Sequence, residues 1–267
     1  MEEEDTSEGL IDRVTTNRGL MGVLRASRLY LPARRMYHAW YAPRRLKFYS
    51  SFVKANDLVF DVGANIGTRL ATFLELGAHV VAFEPQSACF ASLSRKYRSD
   101  LRVQVVHAGL DNREGVGTIH LCENDALSSM SESWIGSVKS SGRFRALQWG
   151  KDEDVRVTTL DRAIEQHGMP TYCKIDVEGY ELNVIQGLSK RMPCLSFEFN
   201  PELREDAEKI IDHLMRIGAY DFNYCVGEPA RLELTDWAQP DRMTSLLRKI
   251  RSSHVDVFAK CPREEQR

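Results

Sequence analysis

Residues 58–67 read Leu-Val-Phe-Asp-Val-Gly-Ala-Asn-Ile-Gly, a short apolar run that stops at a glycine-rich turn. A helical pattern follows from Thr68 to about Leu76, and Gly77 fits its C-terminal cap. The order of strand, tight turn and helix is the first unit of a parallel α/β sheet. Glycines in such a turn let the backbone pass close to a ligand. The stretch therefore predicts both the fold class and the position of a binding site.

The same alternation of apolar runs and helical patterns continues through most of the chain. Continuous apolar runs are typical of parallel strands that are buried on both faces. Further strands are predicted at residues 79–83, 103–107, 172–177, 195–199, 220–226 and 255–259. Helices are predicted at residues 87–97, 161–167, 181–188 and 205–217. The pattern predicts a Rossmann-like α/β fold with a mostly parallel sheet and helices on both faces.

Residues 111–160 interrupt this regular pattern. Residues 117–121 and 155–160 have the composition of extra strands, and a polar, Ser- and Gly-rich connection separates them at 123–154. A connection of that length is usually functional or mobile. We expect it to be an insertion that covers part of the site, with Ser128, Ser129 and Trp134 near the ligand.

Residues 1–50 differ from the domain predicted at 51–267. An acidic start gives way to a stretch rich in arginine and aromatic residues, and Pro43 ends it. This composition predicts one or two short amphipathic helices. Three roles remain open for the extension: capping the sheet edge, covering the active site, or making weak contact with an anionic membrane surface.

Composition excludes several classes of protein. The chain has 267 residues, 43% hydrophobic and 28% charged, and a formal net charge of −2, which argues against a general nucleic-acid binder. Its six cysteines form no CxxC pair, which excludes zinc-ribbon and thioredoxin sites and suits reduced thiols. The acidic start is unlike a signal peptide, and no apolar run approaches the roughly 20 residues of a membrane span. We therefore expect a cytoplasmic protein.

The glycine-rich turn and the end of the next strand predict a nucleoside site. Gly63, Asn65 and Gly67 precede a helix whose first N–H groups are unpaired. Glu84 ends the second strand, where its carboxylate can accept hydrogen bonds from both ribose hydroxyls. A nicotinamide dinucleotide is disfavoured because Asn65 replaces the second glycine of G-x-G-x-x-G and because Asp61 would repel a pyrophosphate. Asp61 suits the ammonium group of S-adenosylmethionine.

The segment from Lys174 to Glu181 carries the second set of charged residues. Lys174 and Asp176 lie two apart on a predicted strand and therefore point to the same face. Asp176 falls at the carboxyl end of the strand, where ligands bind in open α/β sheets, and Glu178 follows it into the loop before Gly179. A purely structural ion pair between Lys174 and Asp176 is the alternative interpretation.

Two further sites, Glu198 with Asn200 and His107, support weaker predictions. Glu198 and Asn200 end another apolar strand, and with Asp176 they could in principle hold Mg²⁺, but nothing in the spacing demands it, so no metal is predicted. His107 ends the third strand near the ligand edge and is a candidate base, although a packed or solvated residue would look the same.

Together these segments resemble the FkbM family of methyltransferases. The matching motifs are residues 60–67, 82–85, 157–161, 174–181 and 197–198. The resemblance implies a class I methyltransferase fold with a seven-stranded sheet, S-adenosylmethionine as donor, and O-methylation of a sugar, glycan or secondary-metabolite hydroxyl. The residues implied to bind the donor are Asp61, Gly63, Ala64, Asn65, Gly67, Glu84, Pro85, Gly109, Leu110 and Asp176.

On this interpretation Asp176 or Glu178 accepts or orients the proton of the acceptor hydroxyl, with His107 as a further candidate. The expected partner is a small-molecule or glycan acceptor. Two rival functions remain: a non-catalytic module that binds S-adenosylmethionine, and a nicotinamide-dependent oxidoreductase.

Overall fold

The computed structural model describes residues 41–142, 147–227, 231–251 and 255–262. The amphipathic helices predicted within residues 1–50 lie largely outside this part of the chain, and the prediction that they end near Pro43 is wrong, because residues 41–49 are helical. The chain divides into two units, residues 1–43 and 44–267. Residues 41–43 of the first unit are helical, as are residues 44–49 of the second. The roles considered for the N-terminal extension therefore stay predictions.

Strands and helices alternate through the second unit in the predicted order. The strands are β1 (Leu58–Val62), β2 (His79–Phe83), β3 (Val103–Val106), β4 (Gly109–Leu110), β5 (Gly115–Cys122), β6 (Trp149–Thr158), β7 (Tyr172–Ile175), β8 (Cys194–Phe199), β9 (Asp221–Val226) and β10 (Val255–Lys260). The helices are α1 (Thr68–Glu75), α2 (Ser87–Tyr97), α3 (Glu132–Ser140), α4 (Leu160–His167), α5 (Glu181–Gln186), α6 (Arg204–Ile217) and α7 (Pro240–Leu247). Helices α3 and α7 were not predicted.

Seven strands form one sheet in the order β3-β2-β1-β7-β8-β10-β9. All neighbours pair in parallel except β10, which is antiparallel to both β8 and β9. This confirms the predicted mostly parallel sheet of seven strands. The chain builds outward from β1 in one direction with β2 and β3, and in the other with β7 and β8. Ligands bind at such a reversal of strand order, outside the carboxyl ends of the strands.

Both faces of the sheet are covered by helices, as predicted. Phe60 and Val62 of β1 belong to a buried cluster with apolar side chains of α4, α5, α6 and α7. Val59 belongs to a second cluster with Phe48, Tyr49, α1 and α2. Because successive strand residues point to opposite faces, this division places the helices in two layers around the sheet.

The connection predicted at residues 123–154 contains regular structure. It holds a short 3-10 turn at Asp125–Leu127, helix α3 and the first half of β6, which pairs with β5 in a separate three-stranded sheet. The Ser131 hydroxyl accepts a hydrogen bond from the Trp134 N–H and caps α3, whose Trp134, Ile135 and Val138 are buried. The sequence did not predict this helix, because its three apolar residues, flanked by polar sequence, give only a weak helical periodicity.

Within the described ranges, none of the helices combines the length and hydropathy that crossing a bilayer requires.

Candidate active site

A cleft opens at the carboxyl ends of β1, β2 and β7. It encloses about 520 Å³ of space, including its open mouth. Backbone turns after these strands form its floor, β4 forms one side, and the inserted segment closes over another. Its lining includes the predicted site residues Gly63, Asn65, Glu84, Pro85, Gly109, Leu110, Asp176 and Glu178.

The turn after β1 requires glycine at Gly63. Its φ angle is +81°, and a Cβ atom there would collide with the carbonyl oxygen of Asp176. The N–H groups of Gly63 and Ala64 donate to the Phe83 carbonyl at 3.0 and 3.2 Å. The turn is therefore fixed between β2 and β7, and its backbone forms the cleft floor. Ala64 and Gly67 belong to the turn but do not line the cleft.

Glu84 connects the turn after β1 to the turn after β2. It is buried, and its two carboxylate oxygens accept the N–H groups of Asn65 at 2.7 Å and Gln86 at 2.8 Å. Burial raises the pKa of Glu84 to about 7, against the lowering effect of these two hydrogen bonds. Each carboxylate oxygen has a second lone pair, so the ionised group can still accept ribose hydroxyls.

Asp61 lies beneath the turn rather than in the lining of the cleft. It is 2% exposed, and its Oδ2 has no hydrogen-bond partner among the described residues. Burial raises the pKa of Asp61 to about 6, while Lys174 acts in the opposite direction. A buried acid with an unpaired oxygen below the turn fits the predicted preference for the ammonium end of S-adenosylmethionine.

Gly109 and Leu110 form β4 and line the opposite side of the cleft. A Cβ atom on Gly109 would lie 3.1 Å from the Met130 sulfur and 3.7 Å from the Pro85 Cβ. Without a side chain at Gly109, an apolar slot remains between Met130 and Pro85, both of which line the cleft. The Gln86 side-chain amide donates to the Asp125 carbonyl at 3.1 Å and connects the slot to the inserted segment.

Lys174 on β7 is fully buried and bridges two carboxylates. Its Nζ lies 3.0 Å from Asp176 Oδ2 and 3.3 Å from Asp256 Oδ1. Burial alone would lower the pKa of Lys174, but the two carboxylates outweigh it and hold that pKa well above its ordinary value. The predicted ion pair exists, and Asp176 also lines the cleft with 36% of its side chain exposed. The structural and functional interpretations are therefore compatible.

Three carboxylates lie together at the carboxyl ends of β7 and β8, where Asp176 and Glu178 line the cleft and Glu198 lines a second, smaller cavity. One oxygen from each of Asp176, Glu178 and Glu198 lies within 4.8 Å of the others. Burial, and then the charges of Glu178 and Asp176, raise the pKa of Glu198 well above its ordinary value. Asn200 donates to Glu198 at 3.4 Å. The group that the sequence analysis considered for Mg²⁺ thus includes Glu178 as well. Its oxygen atoms suit a hard cation or a shared proton.

His107 lies apart from these groups. It is exposed and stacks on Phe90 with ring centroids 4.3 Å apart, and its Nε2 lies 3.0 Å from the Pro85 carbonyl oxygen. It is not among the residues that line the cleft. The structure therefore favours the interpretation of His107 as a stacked, solvent-exposed residue over its interpretation as a catalytic base.

The sequence analysis missed several residues of the cleft wall. Met130, Asp125 and Ile119 come from the inserted segment and β5. No local pattern indicates them, because they reach the site through tertiary contacts across the second sheet.

The strand order, the glycine turn after β1 and the acid at the end of β2 define an S-adenosylmethionine-dependent methyltransferase of the class I fold. Residues 61–224 match the family model described as the methyltransferase FkbM domain. The chain belongs to this family.

Relatives give further likenesses. The chain is 27% identical over 143 residues to the hexuronic acid methyltransferase AglP of Haloferax volcanii, a match that covers 53% of this chain and 54% of that protein. The matched region thus spans about half the length of that relative. Among solved structures, a precorrin-6y C5,15-methyltransferase from Geobacter metallireducens has 8% identity and a TM-score of 0.44, covering 82% of this chain and 87% of that one. A SAM-dependent O-methyltransferase from Thermotoga maritima has 13% identity and a TM-score of 0.39, covering 84% and 67%.

Proposed function

We propose that this protein transfers the methyl group of S-adenosylmethionine to a hydroxyl oxygen of a sugar, glycan or secondary metabolite. The observation that carries the proposal is that Asp176 and Glu178 line the same cleft as the glycine turn and Glu84. A proton acceptor and a donor site therefore share one enclosure. A module that merely binds S-adenosylmethionine has no use for ionisable groups at this position.

Three features of the cleft and its floor support one orientation of the donor. Asp61 under the turn suits the ammonium group, Glu84 suits the ribose hydroxyls, and the slot beside Gly109 suits the adenine ring. In this orientation the sulfonium lies between the turn after β1 and the end of β7. Asp176 is then adjacent to the transferred methyl group. The nicotinamide alternative is disfavoured because a pyrophosphate would lie above the buried Asp61.

The chemistry is an in-line displacement. The acceptor oxygen forms a bond to the methyl carbon as the carbon–sulfur bond breaks, and the electron pair stays on sulfur in S-adenosylhomocysteine. The acceptor proton passes to Asp176 or Glu178 and then to water. Holding the oxygen behind the methyl group supplies most of the rate enhancement, since the sulfonium is already a good leaving group.

The charge at the acceptor side favours an uncharged sugar. The relative from Haloferax volcanii is named for a hexuronic acid. In this chain the carboxylates of Asp176 and Glu178 would repel a uronate, and Lys174 is already bridged to Asp176 and Asp256. We expect methyl glucoside to be a better acceptor than methyl glucuronide at neutral pH. Release of S-adenosylhomocysteine measures both, and a preference for the glucuronide would contradict this choice of acceptor.

Calorimetric titration of S-adenosylmethionine, S-adenosylhomocysteine and NAD tests the donor site. We expect both adenosyl ligands to bind wild type and to bind Glu84→Ala at least tenfold more weakly. Binding of NAD instead would favour the oxidoreductase. Tight donor binding without turnover on any hydroxylated acceptor would favour the non-catalytic module.

The cytoplasmic location and the membrane contact of residues 1–50 remain predictions. Cell fractionation tests the first, and sedimentation of the full chain with anionic and neutral vesicles tests the second.

A further inference from the structure

The segment that carries the proposed catalytic carboxylates ends in an unusual backbone conformation. Glu178 has φ +54° and Gly179 has φ +87°, so two consecutive residues are left-handed. We call residues 176–179 the catalytic turn. A non-glycine residue in this region costs of order 1 kcal/mol, so contacts around it must hold it there. Those contacts determine where the side chains of Asp176 and Glu178 point.

One side of the catalytic turn is held from within its own segment. The Glu181 carboxylate is buried, and its Oε1 accepts the N–H groups of Val177 at 3.1 Å and Gly179 at 3.2 Å. These two hydrogen bonds fix the N–H groups on either side of Glu178. They leave the carbonyl group of Glu178 itself to another part of the chain.

That carbonyl is held by the inserted segment. The hydroxyl of Ser129 donates to the Glu178 carbonyl at 2.7 Å, across 49 residues of sequence. Ser129 is 1% exposed, its hydroxyl also accepts the Ser131 N–H at 2.9 Å, and its backbone pairs with His120 of β5. With its acceptor role taken by Ser131, the single hydroxyl proton is directed at Glu178.

The same segment also packs against the turn. Trp134 of α3 is fully buried, and a Cβ atom on Gly179 would collide with its indole ring. The ring therefore occupies the space that glycine leaves open. One hydrogen bond and one close packing contact join the insertion to the two left-handed residues.

We propose that Ser129 is a positioning residue for methyl transfer, holding the catalytic turn so that the carboxylates of Asp176 and Glu178 face the acceptor. The inference deepens the proposed function and rests on it. The inserted segment is then part of the catalytic frame, as well as a wall of the cleft. Ser129 acts through the Glu178 backbone and does not itself touch the reacting atoms.

The test compares Ser129→Ala with Ser129→Thr, which keeps the hydroxyl, and with Ser140→Ala as a matched control. The Ser140 hydroxyl bonds to the Gly136 carbonyl within α3 and is exposed, away from the cleft. We expect Ser129→Ala to lose 10- to 50-fold in kcat with donor Kd within twofold of wild type. Ser129→Thr recovers most of this loss, and Ser140→Ala matches wild type.

Hydrogen–deuterium exchange supplies a readout that needs no acceptor. We expect the amides of Val177 and Gly179 to exchange faster in Ser129→Ala than in wild type, with the rest of the sheet unchanged. Wild-type kcat in Ser129→Ala, with or without faster exchange, would overturn the inference and leave the proposed function standing. If the wild-type protein turns over no acceptor, the proposed methyltransferase function is overturned. In that case, unchanged exchange of the Val177 and Gly179 amides in Ser129→Ala would separately overturn the role of Ser129 in holding the catalytic turn. If Ser129→Ala loses its fold, a kcat for folded Ser129→Thr as low as that of Glu178→Gln overturns the inference.

Discussion

The two halves of the cleft are built in different ways. The donor half consists of the turn after β1 and Glu84, and its key hydrogen bond joins residues 19 apart, Asn65 and Glu84. The proposed acceptor half consists of the catalytic turn, with Glu198 beside it, and Ser129 holds the turn from 49 residues away. The geometry of the first half is determined by short sequence motifs at the ends of strands. The second depends on how an inserted sheet and helix pack against the main sheet.

Substitution of the turn glycines gives the largest expected contrast between the halves. In Gly63→Ala the new methyl group meets the Asp176 backbone, which cannot move without disturbing the sheet. We expect a loss on the order of 3 kcal/mol in the free energy of unfolding and no measurable donor binding. In Gly179→Ala the methyl group meets the Cβ and the ring of buried Trp134, so we expect a loss of stability here too, but impaired turnover with donor binding retained.

Urea unfolding and calorimetry of the two variants measure this contrast. Gly136→Ala in α3 is the control, because a Cβ atom there meets open space and alanine favours a helix. Loss of donor binding in both folded variants, or in neither, would contradict the comparison.

Removal of the acceptor-side carboxylates has the next largest effect. We expect at least one of Glu178→Gln and Asp176→Asn to reduce kcat at least 100-fold, because one of the two carboxylates is the proton acceptor, while donor Kd changes little. Asp176→Asn should also lower the melting temperature, since it leaves buried Lys174 with Asp256 as its remaining ion-pair partner in the described chain. Single-turnover methyl transfer and calorimetry separate the effects. Near-wild-type turnover by both variants with intact donor binding would refute the assignment.

The contrast between the halves explains how far the sequence could predict the site. Strands β1 and β2, the left-handed turn at Gly63 and the position of Glu84 all follow from local patterns, and the structure agrees with them. The slot beside Met130 and the Ser129 contact do not follow. They depend on tertiary packing of α3 and β5, for which no residue spacing supplies a rule.

The ionisation of Glu84 gives a smaller effect confined to the donor half. Its pKa of about 7 means that the carboxylate gains charge between pH 6 and pH 8. Because ribose hydroxyls donate to the ionised form, donor affinity should rise about tenfold across that range, as expected for one group. Glu84→Gln should bind more weakly and show a flatter pH profile.

Two other buried acids titrate in the same range and need separate variants. Asp61 has a pKa of about 6 and Glu181 of about 7, both raised by burial. Asp61→Asn removes the contribution of Asp61 to the pH dependence of donor affinity, and Glu181 lies on the acceptor side.

The raised carboxyl pKa values also affect stability. A raised carboxyl pKa means that the folded state binds more protons than the unfolded state, so the protein without donor should lose stability as pH rises from about 4.5 to 7. A pH profile that persists in Glu84→Gln would assign the effect to another group.

His107 supplies the smallest expected effect and the sharpest check on where the base lies. It belongs to the donor side of the molecule, stacked on Phe90 and exposed to water. Because it does not line the cleft, His107→Gln should change kcat less than twofold and leave donor Kd unchanged. The loss of one exposed ring stack should cost no more than about 1 kcal/mol of stability. A tenfold loss of kcat at unchanged stability would place proton transfer in the donor half. The carboxylates of the acceptor half would then serve binding alone.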